Sequence, residues 1–280
     1  MAYSLRPVKV PLLSGYEARQ ILTGESPDVS LDLGISAERA ERVSEGVLVG
    51  GRILPWDRLK QICSRLEDVY VVDEGFSRLA WFEKSFYRLV VAGWRRPPTI
   101  EINGVRMHRT VGLDPVQDAE MKVSLFPDLS GAKVLDICTG LGYTAAAIAA
   151  KGAVKVVTVE KDVNVLKMAA YNPWSRGLFA EKIEVVLEDA FSFLEGCDAV
   201  FDAVMHDPPT VKVAGELYSL DFYRLVWKVL RKGGVLVHYV GQPGIKKGSL
   251  FYKGVMRRLR RSGFRPVYVP EALSVKALKV

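Results

Sequence analysis

Apolar residues in the second part of the chain recur as short continuous runs, and segments with helical spacing separate them. The runs "KVLDICT", "VKVVTVE", "KIEVVLED", "FDAVMHD" and "VLVHYV" alternate with segments such as "YTAAAIAAKG" and "KDVNVLKMAAYN". Continuous Val, Ile and Leu runs bounded by helices are typical of strands buried on both faces of a parallel sheet. The pattern therefore predicts a doubly wound, Rossmann-like α/β domain over residues 113–280.

The end of this domain follows a different pattern. The segment "GELYSLDFYRLVWKVLRKGG" predicts one long helix, and "GSLFYKGVMRRLRRSG" predicts another. The last apolar runs, "FRPVYVP" and "LSVKALKV", are separated only by "EA". So short a link can join antiparallel strands but cannot hold a crossover helix. We therefore expect the sheet to end in a C-terminal antiparallel hairpin.

The first 112 residues contain shorter apolar runs and many turn signals. Hairpins are predicted at Gly50-Gly51 and at Asn103-Gly104, where Asn-Gly is the strongest short hairpin signal. One helix is predicted in "WDRLKQICSRL". The region 1–112 is thus predicted to be a small β-rich N-terminal domain, for which RNA binding is one hypothesis, and "GLDPVQDAEMKVSLFPDLSG" is interpreted as the connector.

Composition narrows the function classes. The three cysteines and three histidines are far apart, so neither a disulfide framework nor a metal site is expected. No apolar run approaches the roughly 20 residues of a membrane span, and we expect a cytoplasmic protein with no membrane partner. The net charge of +7 favours a polyanionic partner such as nucleic acid. The oligomeric state is left open.

A glycine-rich loop, "CTGLGYTAAA", follows the first predicted strand of the α/β domain. Gly140 and Gly142 allow the backbone to turn sharply and to approach a ligand closely. Together with Ala145 they also satisfy a dinucleotide-binding spacing. The loop alone therefore does not say which nucleotide is bound.

Acidic residues at the strand ends distinguish these alternatives. Asp136 lies at the end of the first strand, where a carboxylate can hold an ammonium group or a water molecule. Glu160 ends the second strand, where it can accept from ribose hydroxyls, and Asp189 ends the third, where it can accept from an adenine amine. An amine, a ribose and an adenine without a pyrophosphate describe S-adenosylmethionine. The competing interpretation of such acids is a helix N-cap.

These motifs, with "HDPP" after the fourth strand and the terminal hairpin, resemble class I S-adenosylmethionine-dependent methyltransferases. The resemblance implies that S-adenosylmethionine is the cofactor, that Glu160 binds its ribose and that Asp189 reads its adenine with the N–H of Ala190. It also implies cofactor contacts from the loop and strand-end residues Asp136, Thr139, Gly140, Gly142, Tyr143 and Lys161.

The segment Asp207-Pro208-Pro209 follows the fourth strand and is therefore delivered to the same sheet edge. An Asp/Asn-Pro-Pro-aromatic signature is a feature that methyltransferases acting on exocyclic amines share. The carboxylate and the carbonyl of the first proline can accept two amine N–H bonds and aim the nitrogen lone pair. His206 is a further candidate, with packing as its alternative. The signature's stacking aromatic is replaced by Thr210, so we expect stacking from another aromatic residue, with these candidates: Tyr218, Phe222 and Tyr223.

Two features favour RNA as the acceptor, with ribosomal RNA preferred and transfer RNA as an option. One is a set of basic residues with no acid among them, which can neutralise RNA phosphates: Lys246, Lys247, Lys253, Arg257, Arg258, Arg260, Arg261 and Arg265. The alternative interpretation of this set is a solvated helix face. A second basic set lies in "GWRRPPTIEINGVRMHR". The other feature is a resemblance over nearly the whole length to archaeal predicted methyltransferases, one of which is assigned to N4 of cytidine in ribosomal RNA. In related enzymes a segment like "DPVQDAEMKV" covers the methionine end of the cofactor, which adds Asp118 and Lys122 as candidates.

The favoured hypothesis is therefore an S-adenosylmethionine-dependent N-methyltransferase acting on an RNA base, with cytidine N4 as the preferred acceptor and mono- or dimethylation left open. The alternatives are guanine N2 methylation in transfer RNA, a protein or small-molecule N-methyltransferase, an aminopropyltransferase that uses the decarboxylated cofactor, and a non-catalytic RNA-binding module. The basic charge argues against cationic polyamine substrates. Cytosine C5 chemistry is set aside because no cysteine follows a proline.

Overall fold

A computed structural model describes residues 3–241 and 250–280 of the chain. The chain divides into two compact units. The N-terminal unit consists of residues 6–115 and 167–176, and the sheet unit consists of residues 3–5, 116–166 and the described part of 177–280. The sequence predicts a boundary between residues 112 and 113. It does not predict that residues 167–176 belong to the N-terminal unit.

Residues 6–114 of the N-terminal unit form short strands and two helices. The helices are α1 (Gly15–Thr23) and α2 (Trp56–Cys63). The strands are β1 (Leu12–Ser14), β2 (Asp28–Val29), β3 (Glu38–Arg39), β4 (Glu41–Arg42), β5 (Gly46–Val49), β6 (Arg52–Pro55), β7 (Val69–Val71), β8 (Ser77–Arg78), β9 (Ala80–Phe82), β10 (Phe86–Val91), β11 (Pro98–Ile102) and β12 (Val105–Arg106).

Both predicted hairpins of this unit are confirmed. Strands β5 and β6 pair antiparallel across Gly50-Gly51, and β11 and β12 pair antiparallel across Asn103-Gly104. Asn103 and Gly104 have φ values of 49° and 81°, which the left-handed positions of a tight hairpin turn require. Helix α1 is not predicted, although Ser14 and Glu17 have the spacing of a capping box and the Ser14 hydroxyl accepts from the Glu17 N–H.

From residue 115 onward helices and strands alternate. The helices are α3 (Pro115–Ser124), α4 (Tyr143–Ala150), α5 (Val163–Tyr171), α6 (Ala190–Glu195), α7 (Leu220–Val229) and α8 (Phe251–Arg261). The strands are β13 (Lys133–Ile137), β14 (Lys155–Glu160), β15 (Ile183–Leu187), β16 (Phe201–His206), β17 (Leu230–Tyr239), β18 (Phe264–Val269) and β19 (Ser274–Lys279). Two 3₁₀ helices, Pro173–Phe179 and Gly215–Tyr218, complete this part.

Strands β13 to β19 form one mixed sheet in the order β15-β14-β13-β16-β17-β19-β18. Neighbouring strands are parallel from β15 to β17, and β19 pairs antiparallel with both β17 and β18. The predicted Rossmann-like sheet with a terminal antiparallel hairpin is therefore present. Central strand residues such as Leu135, Val204 and Leu236 are fully buried, because helices cover both faces of the sheet.

One prediction for this region is wrong, and the segment interpreted as a connector contains a helix. The long helix predicted over "GELYSLDFYRLVWKVLRKGG" begins only at Leu220, because Ser219 caps α7 by accepting from the Phe222 N–H. It ends at Val229, and the next residues belong to β17. The predicted connector contains helix α3.

Candidate active site

The carboxyl ends of β13, β14 and β16 bring the predicted site residues to one edge of the sheet, which we call the carboxyl edge. Ile137 at the end of β13 is in register with His206 at the end of β16. The Asp207 N–H continues this pairing and donates to the Ile137 carbonyl over 3.2 Å. Parallel strands end together, so Asp207 and the glycine loop after β13 leave the sheet side by side.

Asp207 forms a buried ion-pair cluster with helix α3. Lys122 Nζ lies 2.7 Å from Asp207 Oδ2 and 2.7 Å from Asp118 Oδ2. The Lys122 side chain is only 5% exposed, whereas that of Asp207 is 18% exposed. The ammonium group also lies 4.0 Å from the centre of the Tyr239 ring, a cation–π distance. Burial disfavours the lysine cation, but Asp207 and Asp118 outweigh burial and raise the pKa of Lys122.

The glycine loop has the left-handed conformations that its sequence predicts. Gly140 and Gly142 have φ values of 56° and 80°, and Cys138 is held at 75° although it carries a side chain. A Cβ atom at Gly142 would lie 2.8 Å from the Leu178 side chain. Space and backbone conformation therefore both select glycine at this position.

Glu160, at the end of β14, turns its carboxylate toward this loop. Oε2 accepts from the Gly140 N–H over 3.1 Å, and Oε1 accepts from the N–H groups of Lys161 and Asp162. Burial raises the pKa of Glu160, and the backbone N–H groups partly offset that rise. Lys161 is exposed.

Asp136 lies in a buried network beneath the loop. Its Oδ1 accepts from the Thr144 hydroxyl over 2.9 Å and its Oδ2 accepts from the Thr158 hydroxyl over 2.7 Å. Thr158 is in turn 2.6 Å from the hydroxyl of Thr139. Burial raises the pKa of Asp136 to about 7. Because its side chain is fully buried, Asp136 holds the loop through these threonines.

Asp189 performs the N-cap role that the sequence leaves as its alternative. Its Oδ1 accepts from the N–H groups of Phe191 and Ser192 at the start of α6. The side chain remains exposed, and Ala190 is buried as the first residue of the helix. Tyr143 is the buried first residue of α4. Cofactor contacts by these residues stay predictions.

His206 lies in the interior, as the packing alternative describes. Its ring is fully buried and stacks on His238 with 4.3 Å between ring centres. In the described part of the chain neither of its ring nitrogens has a hydrogen-bond partner. Burial keeps the pKa of His206 well below its ordinary value, so the ring is neutral at physiological pH.

The two prolines differ in their surroundings. Pro208 is buried, while Pro209 is half-buried and its carbonyl accepts from the Tyr218 hydroxyl over 2.9 Å. Thr210 is exposed. The three aromatic candidates for stacking are all buried within the hydrophobic core: Tyr218, Phe222 and Tyr223.

Four neighbours of the predicted site residues are not identified by the sequence: Thr144, Thr158, His238 and Tyr239. Thr144 directly follows the glycine loop, and hydroxyls near a buried carboxylate are a recognisable combination. The contacts of His238 and Tyr239 arise from β17 and have no local sequence signal. The pairing of Asp118 with Lys122 does have one, since i,i+4 spacing in a helix brings opposite charges together.

The basic set is only partly described. Lys246 and Lys247 lie outside the described residues. Four members of the set are exposed on α8: Lys253, Arg257, Arg260 and Arg261. Arg265 is exposed on β18. Arg258 is half-buried. The solvated helix face is therefore observed, and RNA binding by this face stays a prediction.

The part of the chain that the structure describes contains neither a metal-binding cluster nor a membrane-spanning helix. Across residues 3–241 and 250–280, no group of three or more His, Cys, Asp or Glu side chains is arranged to hold a metal ion. In the same ranges no helix has the length and apolar character needed to cross a membrane.

Sequence comparison gives a family match. The family model described as "Spermine/spermidine synthase domain" matches residues 122–270. Uncharacterized protein MJ1233 of Methanocaldococcus jannaschii is 40% identical over 272 residues, which cover 94% of this chain and 93% of the relative. Polyamine aminopropyltransferase 2 of Hyperthermus butylicus is 34% identical over 118 residues, covering 40% of this chain and 39% of the relative. The chain thus matches about two fifths of that enzyme's length.

Similarity to an RNA methyltransferase is weaker. The ribosomal RNA large subunit methyltransferase K/L of Alcanivorax borkumensis is 28% identical over 122 residues, covering 41% of this chain and 17% of the relative. The archaeal RNA methyltransferase family expected from the sequence therefore remains a prediction.

Structure comparison confirms the fold. A crystal structure of spermidine synthase in complex with the transition-state analogue AdoDATO superposes with a TM-score of 0.58 and 18% identity, covering 72% of this chain and 73% of that chain. At this identity the similarity establishes a class I methyltransferase-like fold, shared with spermidine synthase.

Proposed function

The chain belongs to the spermine/spermidine synthase domain family, and we propose that it transfers an aminopropyl group from decarboxylated S-adenosylmethionine to an amine nitrogen of an aliphatic polyamine. Aminopropyl transfer is one of the alternatives that the sequence leaves open. The proposal replaces methyl transfer to an RNA base as the leading hypothesis.

One observation carries the proposal: the Asp207 carboxylate leaves the sheet beside the glycine loop, partly exposed and held by Lys122. A carboxylate oxygen at this place can accept an N–H of the incoming amine and orient its lone pair. The cofactor's sulfonium, when bound, supplies an electrophilic carbon and a good leaving group. Asp207 therefore contributes orientation and electrostatic stabilisation of the charge that develops on the amine.

The residues of the loop fit an adenosyl group. The Gly142 position has no room for a side chain, and Glu160 is fixed beside Gly140 with acceptor oxygens suited to ribose hydroxyls. Asp189 is exposed at the end of the neighbouring strand. These three positions would hold the adenosine part, and the buried network of Asp136 would hold the loop in its conformation.

Local charge favours the decarboxylated cofactor. Among the described residues, three carboxylates at or near the carboxyl edge, those of Asp118, Glu160 and Asp207, outnumber the two lysines beside them, the buried Lys122 and the exposed Lys161. Decarboxylated S-adenosylmethionine and polyamines are purely cationic, whereas the intact cofactor brings a carboxylate that such a site repels. The basic surface that argues against polyamines lies on α8 and β18, so overall charge and the charge of this edge differ in sign.

The test compares the two cofactors directly. Purified protein is incubated with decarboxylated or intact S-adenosylmethionine and with putrescine, spermidine or total RNA, and the products are identified by mass spectrometry. Loss of the aminopropyl group from the sulfonium leaves methylthioadenosine, while loss of the methyl group leaves S-adenosylhomocysteine. We expect methylthioadenosine and an extended polyamine. Formation of S-adenosylhomocysteine with methylated RNA would contradict aminopropyl transfer.

Methyl transfer to the exocyclic amine of an RNA base is the second candidate, and the Lys122–Asp207 ion pair favours it. A polyamine nitrogen is protonated at neutral pH and has to lose a proton before it attacks, and one oxygen of the Asp207 carboxylate is already engaged by the Lys122 ammonium group. A nucleobase amine is neutral and needs only orientation, which Asp207-Pro208-Pro209 can provide.

The basic face of α8 supplies a matched test of this second candidate. Replacing Arg257, Arg260 and Arg261 with alanine removes three exposed charges. If RNA is the acceptor, affinity for RNA falls. The slope of log affinity against log salt concentration becomes shallower by about 2 to 3, because three phosphate contacts are lost. Aminopropyl transfer to a polyamine is expected to be unchanged in this variant.

A further inference from the structure

We propose that His238 is a positioning residue for Asp207, and that it acts by holding the peptide bond between His206 and Asp207. The inference rests on the proposed function only in taking Asp207 as the residue that meets the amine. It holds for aminopropyl and for methyl transfer alike. His238 is fully buried in the sheet, on the strand next to β16.

His238 makes two polar contacts through its two ring nitrogens. Nδ1 lies 3.2 Å from the His206 carbonyl oxygen, and Nε2 lies 3.0 Å from the hydroxyl of Tyr223 on α7. The carbonyl that Nδ1 contacts is the one whose carbon is bonded to the nitrogen of Asp207. The histidine therefore links helix α7 to the backbone of the candidate active site.

The partners fix the direction of both hydrogen bonds. A carbonyl oxygen can only accept, so Nδ1 carries the proton and donates to His206. Burial lowers the pKa of His238 to about 3, so the ring is neutral and Nε2 has a free lone pair. Tyr223 consequently donates its hydroxyl proton to Nε2. The hydrogen bonds run one way, from Tyr223 through His238 to the carbonyl before Asp207.

A positive charge near Tyr223, where this series of hydrogen bonds begins, supports the same direction. Burial raises the pKa of Tyr223, and the guanidinium of Arg258 opposes that rise. A nearby cation interacts favourably with the hydroxyl oxygen when its proton points away, toward His238. Arg258 belongs to α8, so three successive elements are involved: α7, β17 and α8.

The peptide bond between His206 and Asp207 is held on both sides. Its carbonyl accepts from His238, and its N–H donates to the Ile137 carbonyl over 3.2 Å. The second contact comes from β13, directly before the glycine loop. The direction in which Asp207 leaves the sheet is therefore set by two neighbouring strands, β13 and β17, and loss of the His238 contact removes one of the restraints on this peptide plane.

The stacked His206 ring explains why the contact needs a neutral imidazole. The two rings lie 4.3 Å apart with 18° between their planes, and each is fully buried. A proton on either ring would place an uncompensated charge in the core. The arrangement thus works as a fixed support across the physiological pH range.

Two variants separate positioning from packing. His238→Asn keeps a donor near the Nδ1 position, whereas His238→Leu fills the space without any donor. We expect His238→Leu to lower kcat by about 10- to 100-fold with KM and cofactor affinity nearly unchanged, and His238→Asn to recover most of that loss. Equal kcat values for His238→Leu and the unmodified protein would overturn the proposal.

Two further measurements do not depend on any activity. Nitrogen chemical shifts of the imidazole report the tautomer, and a proton on Nε2 would overturn the proposal. Hydrogen exchange at the Asp207 amide is expected to accelerate in His238→Leu, by about 10-fold or more, and to stay slow in His238→Asn. Unchanged exchange in His238→Leu would also overturn it. If the unmodified protein transfers nothing from either cofactor, the proposed function fails while these two results still decide the role of His238.

Discussion

Lys122 Nζ lies 2.7 Å from Asp207 Oδ2, although the two residues are 85 positions apart in the chain. The same ammonium group lies 2.7 Å from Asp118, so one buried cation serves two carboxylates. This cluster connects helix α3 with the end of β16. It makes Lys122 the residue on which both the stability and the charge of the carboxyl edge depend.

Replacing Lys122 with methionine is expected to destabilise the protein by about 3–5 kcal/mol, because the buried carboxylate of Asp118 and the half-buried carboxylate of Asp207 lose their counter-ion. Urea unfolding followed by circular dichroism measures this change. The double variant Lys122→Met with Asp118→Asn is the control, since it removes one of the two carboxylate charges beside position 122 and is expected to recover part of the loss. A single variant as stable as the unmodified protein would show that the ion pair contributes nothing.

Asp207→Ala is expected to lower kcat by about 10²- to 10³-fold while cofactor affinity stays nearly constant, because orientation of the amine is lost. Asp207→Asn retains one acceptor oxygen, so its kcat is expected to lie between those of Asp207→Ala and the unmodified protein. Turnover assays and calorimetric titration of the cofactor provide the values. Asp221→Asn, on the exposed side of α7, is the matched control. Full activity in Asp207→Ala would contradict the assigned role.

Stability is expected to depend on pH through Asp136. Its pKa rises from the ordinary 3.8 to about 7 in the folded protein, so the folded state binds this proton more tightly than the unfolded state does. The contribution is fully present below pH 3.8 and is lost as the pH rises through about 7, at up to roughly 1.4 kcal/mol per pH unit. The contribution of Asp136 is measured as the difference in unfolding free energy between Asp136→Asn and the unmodified protein at each pH. A difference that does not vary with pH would show that Asp136 does not titrate in this range.

Gly142→Ala tests the space at the glycine loop. Gly131 has a similar φ of 77° but no atom within 4 Å of an added Cβ, so Gly131→Ala measures the backbone strain alone, about 1 kcal/mol. Gly142→Ala adds a collision with Leu178 and is expected to cost roughly 1–3 kcal/mol more, with weaker cofactor binding. Thermal unfolding of both variants gives the comparison. Equal losses of stability in the two variants would show that the Leu178 side chain moves aside without a measurable cost.

Local patterns were sufficient for the sheet and for the position of the glycine loop. Continuous apolar runs, the two hairpin signals and the short link between the last strands depend on neighbours in sequence, and the structure shows the corresponding elements. Helix α1 also has a local signal, the capping-box spacing of Ser14 and Glu17. The division between α7 and β17 depends on the cap at Ser219, which a run of helix-favouring residues conceals.

The sequence by itself determined which residues reach the carboxyl edge, because parallel strands end on one side and their following residues share it. Only the tertiary structure decided how those residues are used: that Asp207 pairs with Lys122, that Asp136 is enclosed by threonines, and that His238 holds the backbone at His206. Contacts between remote segments depend on register and on helix orientation across the whole sheet. No pattern of neighbouring residues encodes those quantities.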